Sequence, residues 1–250
     1  RVDVGDGLTL TAGAIAITAD NATHKPWWGR GDDQTSTAIV DGAPWNVDSG
    51  SGGLLNAPAG STRGSIEQVT QLALGEDALF HVLLPTAGVG SFVLDAHNTV
   101  VAYDKVRLDS GGAIALADSS TRFVIDATAT VDVGAGSTIT SDSGDIDIGN
   151  RTDARLDLRA VANAYGLAGL PAGDAYITFN GVDATSLASD VLLLASDRDH
   201  GQIHVAAGQD AAQQAGAIDA HTGVNMWNKT AIPINTTPDA LKKATGGDMA

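Results

Sequence analysis

"VDVGAGSTI" runs from Val131 to Ile139, and "VDVGDGLTL" runs from Val2 to Leu10. Both keep the frame V-D-V-G-x-G, followed by a second apolar-polar alternation. Val-x-Val places two branched apolar side chains on one face of a strand, with the aspartate between them on the other. The Gly-x-Gly pair then breaks the strand, because glycine reaches backbone conformations that a turn needs. Strand, glycine corner, strand is the unit this reading gives. The next residues, "STITSDSGDIDIGN" (Ser137 to Asn150), continue it, with Ile139, Ile146 and Ile148 as an inward column and Asp145 and Asp147 outward.

The same grammar recurs outward from this stretch. "GAIAITAD" (13–20) resembles "GAIALAD" (112–118). An apolar-Asp-Ala-His/Thr core appears around Asp95, Asp126, Asp183 and Asp219, at spacings of 31, 57 and 36 residues. Spacings so uneven exclude a propeller with blades of fixed length. Degenerate repeats with variable loops fit a solenoid, in which each layer stacks on the last. The fold expected is all-β: a right-handed parallel β-helix with irregular, loop-rich ends and rungs of about 20 to 30 residues. A β-sandwich is the alternative, although the hairpin dipeptides Asn-Gly and Asp-Gly are few. Helix competes at two places, 65–84 and 205–218, where apolar spacing or Ala/Gln content permits it.

Composition agrees with thin layers of small aliphatics. Aromatics are 4% of the 250 residues and glycine numbers 30. The acid is almost all aspartate: Glu67 and Glu76 are the two glutamates among 30 acidic residues. Aspartate favours turns and caps over helix interiors. The net charge of -16 argues against nucleic acid or an anionic membrane surface as partner, since both require clustered Lys and Arg. The absence of cysteine excludes disulfides, thiolate metal sites and a cysteine nucleophile. No apolar run has the roughly 18 residues that a membrane span requires.

The chain reads as one domain over 1–250, a fragment of something longer. Within it, 22–64 reads as a loop-rich insertion or cover and 227–250 as an irregular C-terminal stretch. Together these hold all four tryptophans.

Two further stretches, "ANAYGLAGLPAGDA" (162–175) and "MWNKTAIPINTTPDA" (226–240), together with the VDVGAG-type rungs, resemble pieces of large bacterial filamentous adhesins of the filamentous-haemagglutinin-like and leukotoxin type. That resemblance covers 89–240. It implies a β-helical shaft exported to the cell surface for attachment or matrix building, and it brings no catalytic residues. The expectation is a structural or adhesive segment that is not an enzyme and is extracellular. Its partners would be further copies of itself, continuation of the same chain, or a host or matrix glycan or protein.

Several constellations carry possible chemistry. Asp142, Asp145 and Asp147 could offer oxygens to calcium, the one cofactor considered. However, neither the calcium nonapeptide nor the twelve-residue loop is present, and a solvated outer face is the simpler reading. Trp27, Trp28, Arg30 and Asp32 could form an interaction surface, with Arg30-Gly31-Asp32 as an exposed tripeptide. Asp197, Asp199, His200 and His204 suggest an enzyme of acidic glycans, but Asp32-Asp33 lies too far away in sequence to join them. Arg151, Arg155 and Arg159 alternate with aspartates, as a charge ladder between layers would. The alternative function, a β-helical polysaccharide lyase or hydrolase, would use these arginines beside Asp142–Asp147. No nucleotide fingerprint or nucleophile elbow occurs.

Overall fold

The computed structural model describes residues 1–25, 46–86, 88, 90–196, 200–233 and 239–245. These residues are strands and corners, with no helix among them. The strands are β1 (Val2–Val4), β2 (Thr9–Ala12), β3 (Ile15–Lys25), β4 (Val47–Asn56), β5 (Ala59–Leu74), β6 (Leu79–Val82), β7 (Phe92–Val133), β8 (Thr138–Ser141), β9 (Ile146–Leu187), β10 (Leu192–Ala195), β11 (Ile203–Val205), β12 (Ile218–Pro233) and β13 (Asp239–Thr245). They form a nine-stranded and a four-stranded sheet, and every pairing between named strands is parallel.

The chain retraces one path four times. Val4 pairs with Leu74, Leu74 with Val133 and Val133 with Leu187, so successive passes are 70, 59 and 54 residues long. The pass is therefore about twice the 20 to 30 residues expected. The reason lies in β7 and β9, each of 42 residues. Val100 and Ala102 of β7 share a buried cluster with Phe123, Ile125 and Ala127 of the same strand. Each pass thus runs out along one arm and returns along another, and the 31-residue spacing of Asp95 and Asp126 separates the two arms of one pass. The reversal is marked by a glycine column, Gly53, Gly112 and Gly166 in register. A Cβ on Gly112 would meet the Gly53 carbonyl oxygen at 2.0 Å, so no other residue fits between stacked passes there.

The opening motif is the opposite corner. Gly7, Asp77, Gly136 and Asp190 all have positive φ (62°, 54°, 71° and 60°) and stand at equivalent places in the four passes. Aspartate tolerates this left-handed conformation, which explains why two of the four corners carry no glycine there.

The interior is cut into apolar cells by polar partitions. The first cell holds Phe80, Phe92, Leu94, Ile139, Ile146 and Ile148, with the Phe80 and Phe92 rings 5.3 Å apart. As expected, Ile139, Ile146 and Ile148 point inward and are fully buried, whereas Asp145 is exposed. A second cell centres on Phe123, Leu156 and Phe179, and a third on Val106, Leu108 and Ala162. Between the first two, Thr70 bonds Asn98, and Thr152 donates to Asp183 Oδ1 at 2.7 Å. Between the second and third stands Asp104, 1% exposed, which accepts from Lys25, Thr62 and Thr121. The bonds from Thr62, Thr70, Thr121 and Thr152 join the two arms, whereas Lys25 reaches Asp104 from the neighbouring pass of the same arm; buried polar groups need such partners.

The competing helix readings at 65–84 and 205–218 do not hold, and strand takes the place of loop over parts of 22–64 and 227–250. The stretch 65–84 is β5, a corner and β6, because alternate residues from Gln68 onward are buried. Residues 205–218 form bridges and turns. The 22–64 stretch contains strand at 22–25, 47–56 and 59–64, and the 227–250 stretch contains strand to Pro233 and again over Asp239–Thr245. Backbone pairing with the next pass supplies what the Gly- and Ser-rich side chains do not.

Candidate functional site

Among the described residues, a group of ionisable side chains gathers on the outward arm. Register places Asp20 beside His97 and His97 beside Arg151, one on each of three passes. Asp95 and Asp153 sit two residues from His97 and Arg151, on the same face of their strands. Gly149 is the residue beside Asp95 in the next pass. A Cβ there would strike the Gln209 carbonyl oxygen at 2.5 Å, so its glycine admits the backbone of the segment 206–217.

That segment is fastened by the charged residues beneath it. Arg151 Nη1 is 2.9 Å from Asp210 Oδ2. Ala211 N–H donates to Asp95 Oδ1 at 3.3 Å, Gly208 N–H to Asn150 Oδ1 at 3.2 Å and Ala217 N–H to Asp153 Oδ1 at 2.9 Å. His97 Nε2 lies 2.9 Å from Asp153 Oδ2 and 3.3 Å from Arg151 Nε. One nitrogen cannot donate to Asp153 and accept from Arg151 at once. The shorter contact, to a carboxylate, makes Nε2 the donor. Burial holds the Asp95 carboxyl above the usual carboxylate range, and Asp210 and Asp20 add to this against the Ala211 N–H and His97. Burial likewise raises Asp183, opposed by its hydrogen bonds from Thr152. The arrangement offers an acid, an imidazole and a guanidinium within contact of one another, under a fastened segment.

Beside it an open groove of about 530 Å³ is lined by Thr99, Val101, Asp153, Arg155, Ala217 and Asp219. Burial raises the Tyr103 hydroxyl, with Arg155 pulling it down and Asp157 and Asp219 pushing it up. A second groove of about 580 Å³ is lined by Lys105, Asp157, Arg159, His221 and Gly223. Arg159 pairs with Asp157 at 3.0 Å, and Asp219 with His221 at 2.8 Å.

Among the described residues, Arg151 pairs with Asp153 and Arg159 with Asp157 within a strand, and Arg151 also reaches Asp210 in the next pass. Asp142, Asp145 and Asp147 are engaged one by one elsewhere. Asp142 meets His81 at 2.9 Å, and Asp145 accepts from Gln202 N–H at 2.7 Å. Asp147 is raised by burial and by Asp145, against His204. Among the described residues no group of three or more His, Asp or Glu is arranged to hold a metal ion. Trp27, Trp28, Arg30, Asp32, Asp33, Asp197 and Asp199 lie outside the described residues. Asp95, Asp183 and Asp219 were visible in the sequence only as repeat positions, and Asp210 carried no signal there.

No protein-family profile, curated protein or solved structure matches the chain.

Proposed function

We propose that the chain is a segment of a right-handed parallel β-helix, the shaft of an extracellular bacterial surface filament or giant adhesin. Its work is reach, stiffness and contact, either with further copies and continuations of itself or with a host or matrix glycan or protein. One observation carries this reading: four passes stack in parallel with the left-handed corners Gly7, Asp77, Gly136 and Asp190 at equivalent places. Such a path lengthens by adding passes, and its strand edges stay open to the next layer. Gold-labelled antibody against this chain on intact cells is expected to decorate thin filaments outside the envelope. Label confined to the cell interior would sink the reading.

The competing reading is a β-helical lyase or hydrolase of acidic polysaccharides. It draws support from the contact of His97, Arg151 and Asp153 beside the raised Asp95 carboxyl. It requires cleavage of at least one acidic glycan in a panel, and loss of that cleavage in His97→Gln.

A further inference from the structure

Among the described residues, Arg155 is a cation of the outward arm without an anion of its own. Register places His24, Val101, Arg155 and Asp219 side by side, one from each of four passes, on the outer face. The carboxylates around Arg155 are already engaged. Asp153 meets His97 at 2.9 Å and Arg151 at 3.4 Å, and accepts the Ala217 N–H. Asp157 meets Arg159 at 3.0 Å, and Asp219 meets His221 at 2.8 Å. Among the described residues no hydrogen bond or ion pair engages the Arg155 guanidinium, and its Nε is buried without a partner. A buried donor left unpaired is costly, and more so on a charged group.

Arg155 belongs to the wall of the open groove of about 530 Å³, a volume of the size that small ligands occupy. Val101, Ala154 and Ala217 line it with aliphatic carbon, and Thr99 and Asp219 with oxygen. The middle strand of the wall, β9, is paired on one side by β7 and on the other by β12, so its backbone has no N–H to give an added strand. A peptide laid there would leave its own backbone groups unpaired against aliphatic carbon. A sugar ring carrying a carboxylate suits each part instead. Its C–H face packs on Val101 and Ala217, and its hydroxyls reach Thr99 and Asp219. The guanidinium fork takes its carboxylate in two parallel bonds.

We propose that this groove binds a carboxylate-bearing sugar, with Arg155 as the residue that holds the carboxylate. This rests on the glycan-contact reading above and deepens it by naming the class of glycan and its anchor. The net charge of -16 opposes any anion at long range. Close to the groove the balance differs, because Arg151, Arg155 and Arg159 alternate with Asp153 and Asp157 along β9. Exposed acids more than about 8 Å away are largely screened at physiological salt.

Sialyllactose and a galacturonate trimer probe a terminal and an internal sugar acid, and lactose is the neutral counterpart of the first. Backbone amide shifts of the unsubstituted chain are expected to show saturable binding of at least one acid. The shifts should centre on Thr99, Val101, Ala154, Arg155, Ala217 and Asp219, and lactose should produce none. The acid that binds identifies the source of the carboxylate. Arg155→Gln is expected to weaken binding about tenfold or more, and Arg155→Lys by less, with thermal unfolding unchanged in both. Lactose binding as tightly as the acids would overturn the proposal. So would shifts centred on another face, Arg155→Gln binding like the unsubstituted chain, or no saturation by either acid up to its solubility. Should Arg155→Gln fail to fold, the shift map of the unsubstituted chain decides alone. No sugar binding with labelled filaments on cells would remove the groove and keep the shaft; binding through Arg155 with label inside cells would do the reverse.

Discussion

Lys25 Nζ lies 2.9 Å from Asp104 Oδ1, joining the end of the outward strand of one pass to the interior of the next. The same ammonium donates to the Tyr103 carbonyl at 2.8 Å and stands 5.0 Å from the Phe123 ring centre. Asp104 is sealed between two apolar cells, and its other oxygen is held by Thr62 and Thr121. Three donors therefore replace the water that the carboxylate lost.

Removing one partner of such a pair leaves a buried charge short of compensation. Because Lys25 is itself one-third exposed, Lys25→Met is expected to cost about 2 kcal/mol, below the full cost of breaking a buried pair. Adding Asp104→Asn should recover part of that loss. Urea titration of the single and double variants checks this. A Lys25→Met midpoint equal to that of the unsubstituted chain would show that the two hydroxyls alone satisfy the carboxylate.

The corners give a paired prediction. Gly7 and Gly136 share nearly the same positive φ, but a Cβ on Gly7 meets nothing within 4 Å, while one on Gly136 meets Asp77 Oδ1 at 2.3 Å. Gly7→Ala is expected to cost about 1 kcal/mol of backbone strain. Gly136→Ala should cost more, by whatever moving Asp77 requires. Equal losses in denaturant titrations would mean that the corner is set by backbone conformation alone.

These corners also mark the limit of what could be read from residues. Strand type, inward isoleucines and outward aspartates were legible, because alternation in "GDIDIGN" fixes which face each side chain takes. "VDVGDGLTL" and "VDVGAGSTI" were recognised as equivalent, and register makes them so. Pass length was not legible. "VLDAHNTV" and "VIDATATV" look like successive rungs but lie on opposing arms of one pass, and nothing local distinguishes arm from rung. "LALGEDALF" and "SLASDVLLL" escaped notice because aspartate occupies the left-handed position. The His97–Arg151 contact depends on a separation of 54 residues that only the folded register supplies.

The segment 206–217 should depend on Arg151 and on the bareness of Gly149. Arg151→Gln removes the pair with Asp210, and Gly149→Ala drives a methyl into the Gln209 carbonyl. Both are expected to speed hydrogen exchange at the Gly208, Ala211 and Ala217 amides while leaving β9 amides slow. Unchanged exchange at those three amides in both variants would mean that the antiparallel bridge between Gln209 and Ala215 holds the segment in place unaided.

Asp147 gives a pH prediction whose sign follows from its cause. Burial and the Asp145 charge raise its pKa above 3.8 in the folded state, so folding favours the protonated carboxyl. The stability this gives is full below the unfolded value and is lost as pH rises through the raised folded value. Above that window the ionised group is a net cost. Asp147→Asn removes the charge and keeps the shape, so it should raise the melting temperature near about pH 7, where the carboxyl ionises, and change it little near about pH 3. Asp145→Asn should act in the same direction but less, because it removes only the like-charge part of the shift and also weakens the acceptor for Gln202 N–H. If melting of Asp147→Asn tracks the unsubstituted chain at both pH values, the folded pKa is not raised, and the outward face of β9 is fully wet.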